Sequence, residues 1–141
     1  MGETGMVDAL THILPLLAPG GRLIDMHPNG EPPPLTVQVD GESHLVGWIR
    51  EESEYESYHQ ADAALATAVR RGWYRWHARG TFAFTTYFDS LTDLRAYLAS
   101  EWSDGYVEEL VAMRIETFMQ TAADKSIMLA EIVRIAHLEK T

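Results

Sequence analysis

The sequence predicts an α/β domain, a small mixed or antiparallel sheet of about three to five strands with helices packed against it. Three observations carry this. Apolar residues recur at helical spacing near 6–17, 58–69 and 91–102, and β-branched and aromatic residues run or alternate near 22–26, 35–49, 73–88 and 128–138. Proline, glycine and aspartate separate the two kinds of segment. No repeat or linker divides the chain, and 141 residues with 46% hydrophobic content suit a single domain able to bury roughly 68–70% of its unfolded surface.

The first helix follows from Met6, Leu10, Ile13, Leu14 and Leu17, with Pro15 kinking or shortening its last turn and Pro19-Gly20-Gly21 ending it. Arg22 to Met26 then reads as a short, largely buried strand, stopped by His27-Pro28-Asn29-Gly30 and by Pro32, Pro33 and Pro34. Alternation between Leu35 and Arg50 predicts a hairpin turning at Asp40-Gly41, with Leu35, Val37 and Val39 on one strand and Leu45, Gly47 and Ile49 on the other. A long helix follows, with Ser53 and Glu56 as a capping box, Tyr58, Ala61, Leu65, Ala68 and Val69 as its buried stripe, and Gly72 as its stop.

Trp73 to Phe88 predicts a strand with Phe82, Phe84 and Phe88 on one face around a break at Gly80. Ser90 and Asp93 cap a short helix that turns Leu91, Leu94, Leu98 and Trp102 inward. A further helix is expected from about Asp104 to Gln120, and a final β segment from Met128 to Leu138.

Composition excludes several functions. A formal charge of −10, with Lys and Arg scattered, opposes nucleic acid binding. With no cysteine there is neither a disulfide scaffold nor a thiolate nucleophile. No signal-peptide pattern and no apolar run of roughly 20 residues occur, so a cytoplasmic protein without membrane contact is expected. His12, His44, His59, His77 and His137 lack metal-ligand spacing, and no Gly-x-Ser-x-Gly nucleophile elbow is present. No catalytic residue and no metal ligand is assigned.

Leu16-Leu17-Ala18-Pro19-Gly20-Gly21-Arg22-Leu23-Ile24, a helix leading through Pro-Gly-Gly into an apolar strand, resembles the entry to the fifth strand of class I S-adenosylmethionine-dependent methyltransferases. Asp25-Met26-His27-Pro28 is similar to the exit of that strand in one branch of the family. Phe82 to Ser90 with Tyr97 to Trp102 is similar to the branch's sixth strand and next helix, and the last segment to its antiparallel seventh strand. From Val7 to Lys140 the chain therefore resembles the C-terminal half of such an enzyme.

The resemblance implies a Rossmann-like half lacking the N-terminal part that carries the cofactor. No Gly-x-Gly-x-Gly segment follows an early strand here, so no cofactor-binding residue can be carried over, and the isolated chain is expected to hold no cofactor. S-adenosylmethionine would bind only if a partner supplied the missing half. The expected function is a truncated or split-enzyme substrate-side domain, non-catalytic alone. Without the family's fourth strand, the edge of 22–26 would be open, which implies a homodimer or a complementary N-terminal half docking there.

Asp25 and His27, two apart on a strand, share a face at its carboxyl end, where open α/β sheets place ligands. Tyr55, Tyr58 and His59 at the start of the long helix are the other ligand candidates. The alternative function is accordingly a homodimeric small-ligand binding protein using a cleft around Asp25, His27 and His59. The bland account of the same residues has Asp25 capping the turn, His27 bonding backbone near Pro28, and the acidic helix start simply solvated.

Overall fold

The computed structural model describes residues 3–121 and 123–141. Its elements are α1 (Glu3–Ile13), a 3-10 turn (Leu14–Leu16), β1 (Arg22–Pro28), β2 (Pro34–Val39), β3 (Glu42–Glu51), α2 (Glu56–Arg70), β4 (Tyr74–Phe88), α3 (Leu91–Glu101), β5 (Gly105–Val107), α4 (Glu109–Thr121) and β6 (Lys125–Lys140). The α/β class is as predicted, but the sheet is larger. Hydrogen bonding links six strands, with β6 pairing β1, β2 and β4, β2 pairing β3, and β3 pairing β5. No helix among the described residues is long and apolar enough to cross a membrane. The chain forms two compact units, and β4 and β6 each contribute residues to both.

The first unit comprises residues 1–31, 55–82 and 132–141. Pro15 shortens α1 as the sequence predicts, since α1 stops at Ile13 and continues only as a 3-10 turn containing that proline. Lys140 closes the turn, donating from Nζ to the carbonyls of Leu14 and Leu17 at 2.9 Å each. β1 pairs antiparallel with β6 from Arg22↔Glu139 to Pro28↔Val133. Arg75 bonding Glu139 and the edge-to-face contact of His77 with His137 show β4 running antiparallel to the same strand. Helices α1 and α2 cover a core of Val7, Leu10, Ala64, Leu65, Ala68, Tyr74, Ala136 and Leu138, in which the Tyr74 hydroxyl donates to the Leu10 carbonyl at 2.9 Å.

Three expectations fail in this unit. β1 is not largely buried, because only Leu23, Asp25 and His27 turn toward neighbours while Ile24 and Met26 are each 60% exposed. Gly80 does not break β4, and Phe82 and Phe84 at the unit's limit are exposed whereas Phe88 is buried. Ser53 does not cap α2. Its hydroxyl lies against the carboxylates of Glu51 and Asp104, and the helix starts instead after Glu54 and Tyr55, both with positive φ (51° and 63°). Gly72, at φ 78°, ends α2 as predicted.

The second unit comprises 32–54 and 83–131. Asp40-Gly41 makes the expected hairpin turn, both residues having positive φ as a type I′ turn demands. A bulge shifts the register between Leu35 and Thr36, so Leu35 faces Gly47 and Thr36 faces Leu45. Val46 and Ile49 consequently turn inward, and Leu45, expected inside, is 59% exposed. The core joins Leu35, Val37, Val46 and Ile49 to Leu91, Leu94 and Leu98 of α3, Val111, Ile115 and Met119 of α4, and Ile127 and Leu129 of β6. Each such aliphatic side chain contributes roughly 1.5–3 kcal/mol when fully buried.

Ser90 caps α3 as predicted, accepting from Asp93 N at 3.0 Å. The helix expected from Asp104 starts only at Glu109, because Gly105-Tyr106-Val107 adds a strand to β3 with Ile49↔Val107 and Glu51↔Gly105 in register. Gly47 lies so close to α4 that a Cβ there would sit on the Val111 methyls. In β6 the buried residues are Ile127 and Leu129 here but Ala136 and Leu138 in the first unit, a change of parity within one strand.

Candidate functional site

In the first unit β1 presents Asp25 and His27 on one face, as two residues apart on a strand must be. The register places His27 directly opposite Arg134 of β6, and α2 carries Asp62 to both of them. His27 Nδ1 lies 2.5 Å from Asp25 Oδ2, and Nε2 lies 2.8 Å from Asp62 Oδ1. The second oxygen of Asp62 accepts from Arg134 Nη1 at 2.6 Å. One aspartate thus ties the imidazole to the guanidinium.

With carboxylates at both ring nitrogens, only the doubly protonated imidazole donates to each. The bond to Asp25 accordingly raises the His27 pKa above its ordinary value; burial opposes this, and Asp62 adds to it. With Asp25 and Asp62 ionised, the imidazolium and the Arg134 guanidinium balance the two negative charges within the cluster.

His27, Asp62 and Arg134 form one wall of a cleft of about 490 Å³, in the range of small-molecule sites. Leu65 and Ala66 of α2 and Ile135 and Ala136 of β6 supply apolar lining, and β4 adds Trp76, Arg79, Gly80 and Thr81. The Arg79 guanidinium lies 4.4 Å from the centroid of the Trp76 ring, a cation–π contact. Among the described residues it has no carboxylate partner.

Of the ligand candidates singled out from the sequence, the structure joins Asp25 to His27, and His27 alone lines the cleft. Tyr55 is buried ahead of α2 with its ring 6.2 Å from that of Tyr58. The exposed His59 packs on Gly30, where a Cβ would meet its Cε1 at 2.7 Å. None of these three lines the cleft. His27 bonds to two side-chain carboxylates, where the bland account gave it a backbone partner near Pro28.

Trp76, which the sequence offers with Trp48, Trp73 and Trp102 either as pocket lining or as core, does line the cleft, whereas Asp62, Arg79 and Arg134 were not singled out as site residues. Their signals are faint but physical. Asp62 borders the apolar stripe at Ala61 and Leu65, and Arg134 is a single charge inside the apolar run Ile132-Val133-Arg134-Ile135. Among the described residues no cluster of three or more His, Asp or Glu has the arrangement of a metal site. No family model matches the chain, and no curated protein or solved structure matches it.

Proposed function

We propose that this chain is a ligand-binding domain whose site is the cleft over His27, Asp62, Arg134 and Trp76, and that it binds without transforming what it holds. The observation that carries this reading is the clamped imidazole. Both His27 nitrogens are engaged by carboxylates, so the ring holds the cleft wall in place and has no lone pair to offer as a base. Among the described residues the one hydroxyl in the lining, that of Thr81, has no hydrogen bond to a carboxylate or imidazole.

Ala66 faces solvent on α2 and lines the cleft, so Ala66→Trp fills it while leaving the core intact. A thermal-shift screen of small apolar acids and amines should give compounds that raise the wild-type Tm by about 2 °C or more, as mass action requires of anything binding only the folded chain. Their effect should vanish in Ala66→Trp and in His27→Ala. No hit, or hits indifferent to Ala66→Trp, would overturn the reading.

A second reading makes the same cleft the substrate side of a methyltransferase-like enzyme whose cofactor half lies on another chain. Its support is that the last strand, β6, runs antiparallel to β1 and also pairs β4, as the resemblance of these segments to a fifth, sixth and reversed seventh strand implies. In this reading the edge of β1 away from β6 takes the partner, either the complementary half or a second copy. Titration of the chain with S-adenosylmethionine should give no heat, and sedimentation at micromolar concentration should show a dimer if a second copy is the occupant. Binding of S-adenosylmethionine tighter than about 100 μM, roughly −5.5 kcal/mol, would refute the split arrangement.

A further inference from the structure

We infer that the cleft selects a small monoanion, a carboxylate carried on an apolar body, and that Arg79 is the residue that reads its charge. This rests on the cleft being a binding site and adds the class of ligand. The ledger of formal charges decides the sign. Asp25, His27, Asp62 and Arg134 balance one another through bonds of 2.5–2.8 Å, so the cluster presents no net charge to an incoming ion. Arg79 is the remaining charge in the lining. It is held over Trp76 with no carboxylate among the described residues, and one anion completes it.

The geometry also fixes what the ligand carries besides its charge. A cation–π contact to an indole face offers no hydrogen-bond acceptor lone pair, so it leaves the guanidinium's N–H donors to be satisfied elsewhere. Those donors form the fork that matches two carboxylate oxygens. Thr81, two residues further along β4, lines the same cleft and offers a hydroxyl nearby. Apart from the mutually paired charges, the rest of the lining is Leu65, Ala66, Gly80, Ile135 and Ala136, which offers no side-chain polar atom and suits an apolar body. A doubly charged phosphate would leave one charge unanswered in a chain whose formal charge is −10.

The test compares three carboxylates (octanoate, phenylbutyrate and indolepropionate) with their primary amides, which keep the shape and lose the charge. Binding to the whole chain is followed by calorimetry and by Trp fluorescence at low salt. At least one acid should bind at least tenfold more tightly than its amide. Arg79→Gln should erase that advantage and leave the acid binding as the amide does, with thermal stability unchanged because Arg79 is exposed. Arg79→Lys should restore part of it. Equal binding of acid and amide, or a preference that survives Arg79→Gln, would overturn the assignment to an anion while leaving the cleft as a binding site. Failure of every acid and every amide to bind at millimolar concentration would overturn both.

Discussion

The two units use the same sheet chemistry for different ends. In the second, side chains from β2, β3, β6, α3 and α4 meet in a core dominated by Leu, Ile and Val, beside which Arg50 and Glu108, paired at 2.7 Å, stay half exposed while the Glu51 carboxylate is buried against Trp102. In the first, Ala64, Ala68 and Ala136 share the core with Val7, Leu10, Leu65, Leu138 and Tyr74, and beside it four charged groups are tied together at the wall of a cleft. Alanine buries little apolar area, so α2 approaches the sheet closely enough for Asp62 to reach both His27 and Arg134. The second unit concentrates stabilising burial, while the first spends packing volume on holding polar groups in place.

The largest expected effect tests the aliphatic side of this contrast. Ile115 is fully buried in α4, and Ile115→Ala should lower unfolding stability by about 2–5 kcal/mol in a urea titration, with binding per folded molecule unchanged. A change in cleft affinity would break the division of labour between the units. Gly47→Ala comes next, at about 1–3 kcal/mol, because the new methyl lands on Val111. The double variant Gly47→Ala with Val111→Ala should recover part of that loss, a coupling that two independent sites would not show.

In the first unit, Tyr74→Phe removes only a hydroxyl bonded to Leu10 in a buried setting and should cost about 1 kcal/mol. The smallest effect is a pH dependence. His27 has its pKa raised in the folded chain, so the stability it contributes is complete below its unfolded pKa near 6.5 and is lost as pH rises through the raised folded value. The gap between wild type and His27→Gln, about 1 kcal/mol, should be widest near pH 5.5 and narrow as pH rises through the raised folded value. A gap that widens with pH would mean that the ring sits neutral between Asp25 and Asp62.

Local chemistry was legible in the sequence and register was not. Asp40-Gly41 announced the hairpin and Ser90 with Asp93 announced α3, since in each case the deciding bond joins residues at most three apart. Asp25 and His27 were found for the same reason. Their partners were hidden because Asp62 and Arg134 reach His27 only through packing of α2 and the pairing of β1 with β6. The inward set of β3 was misread because one bulge moves Val46 to the core and Leu45 to solvent. The false cap at Ser53 has a similar cause: its hydroxyl is drawn to Glu51 and to Asp104, a residue distant in the chain. β5 is three residues long, too short for any periodicity to show.

The pairing of Arg22 with Glu139, and the closure of the first helical segment by Lys140, bear on how the polypeptide is made. On the ribosome β1 emerges well before its partner β6, so Ile24 and Met26 wait through the synthesis of the elements between them with their backbone unsatisfied. The first unit should therefore be completed only once β6 has left the exit tunnel, and nascent chains stalled before that moment should be the ones that chaperones retain.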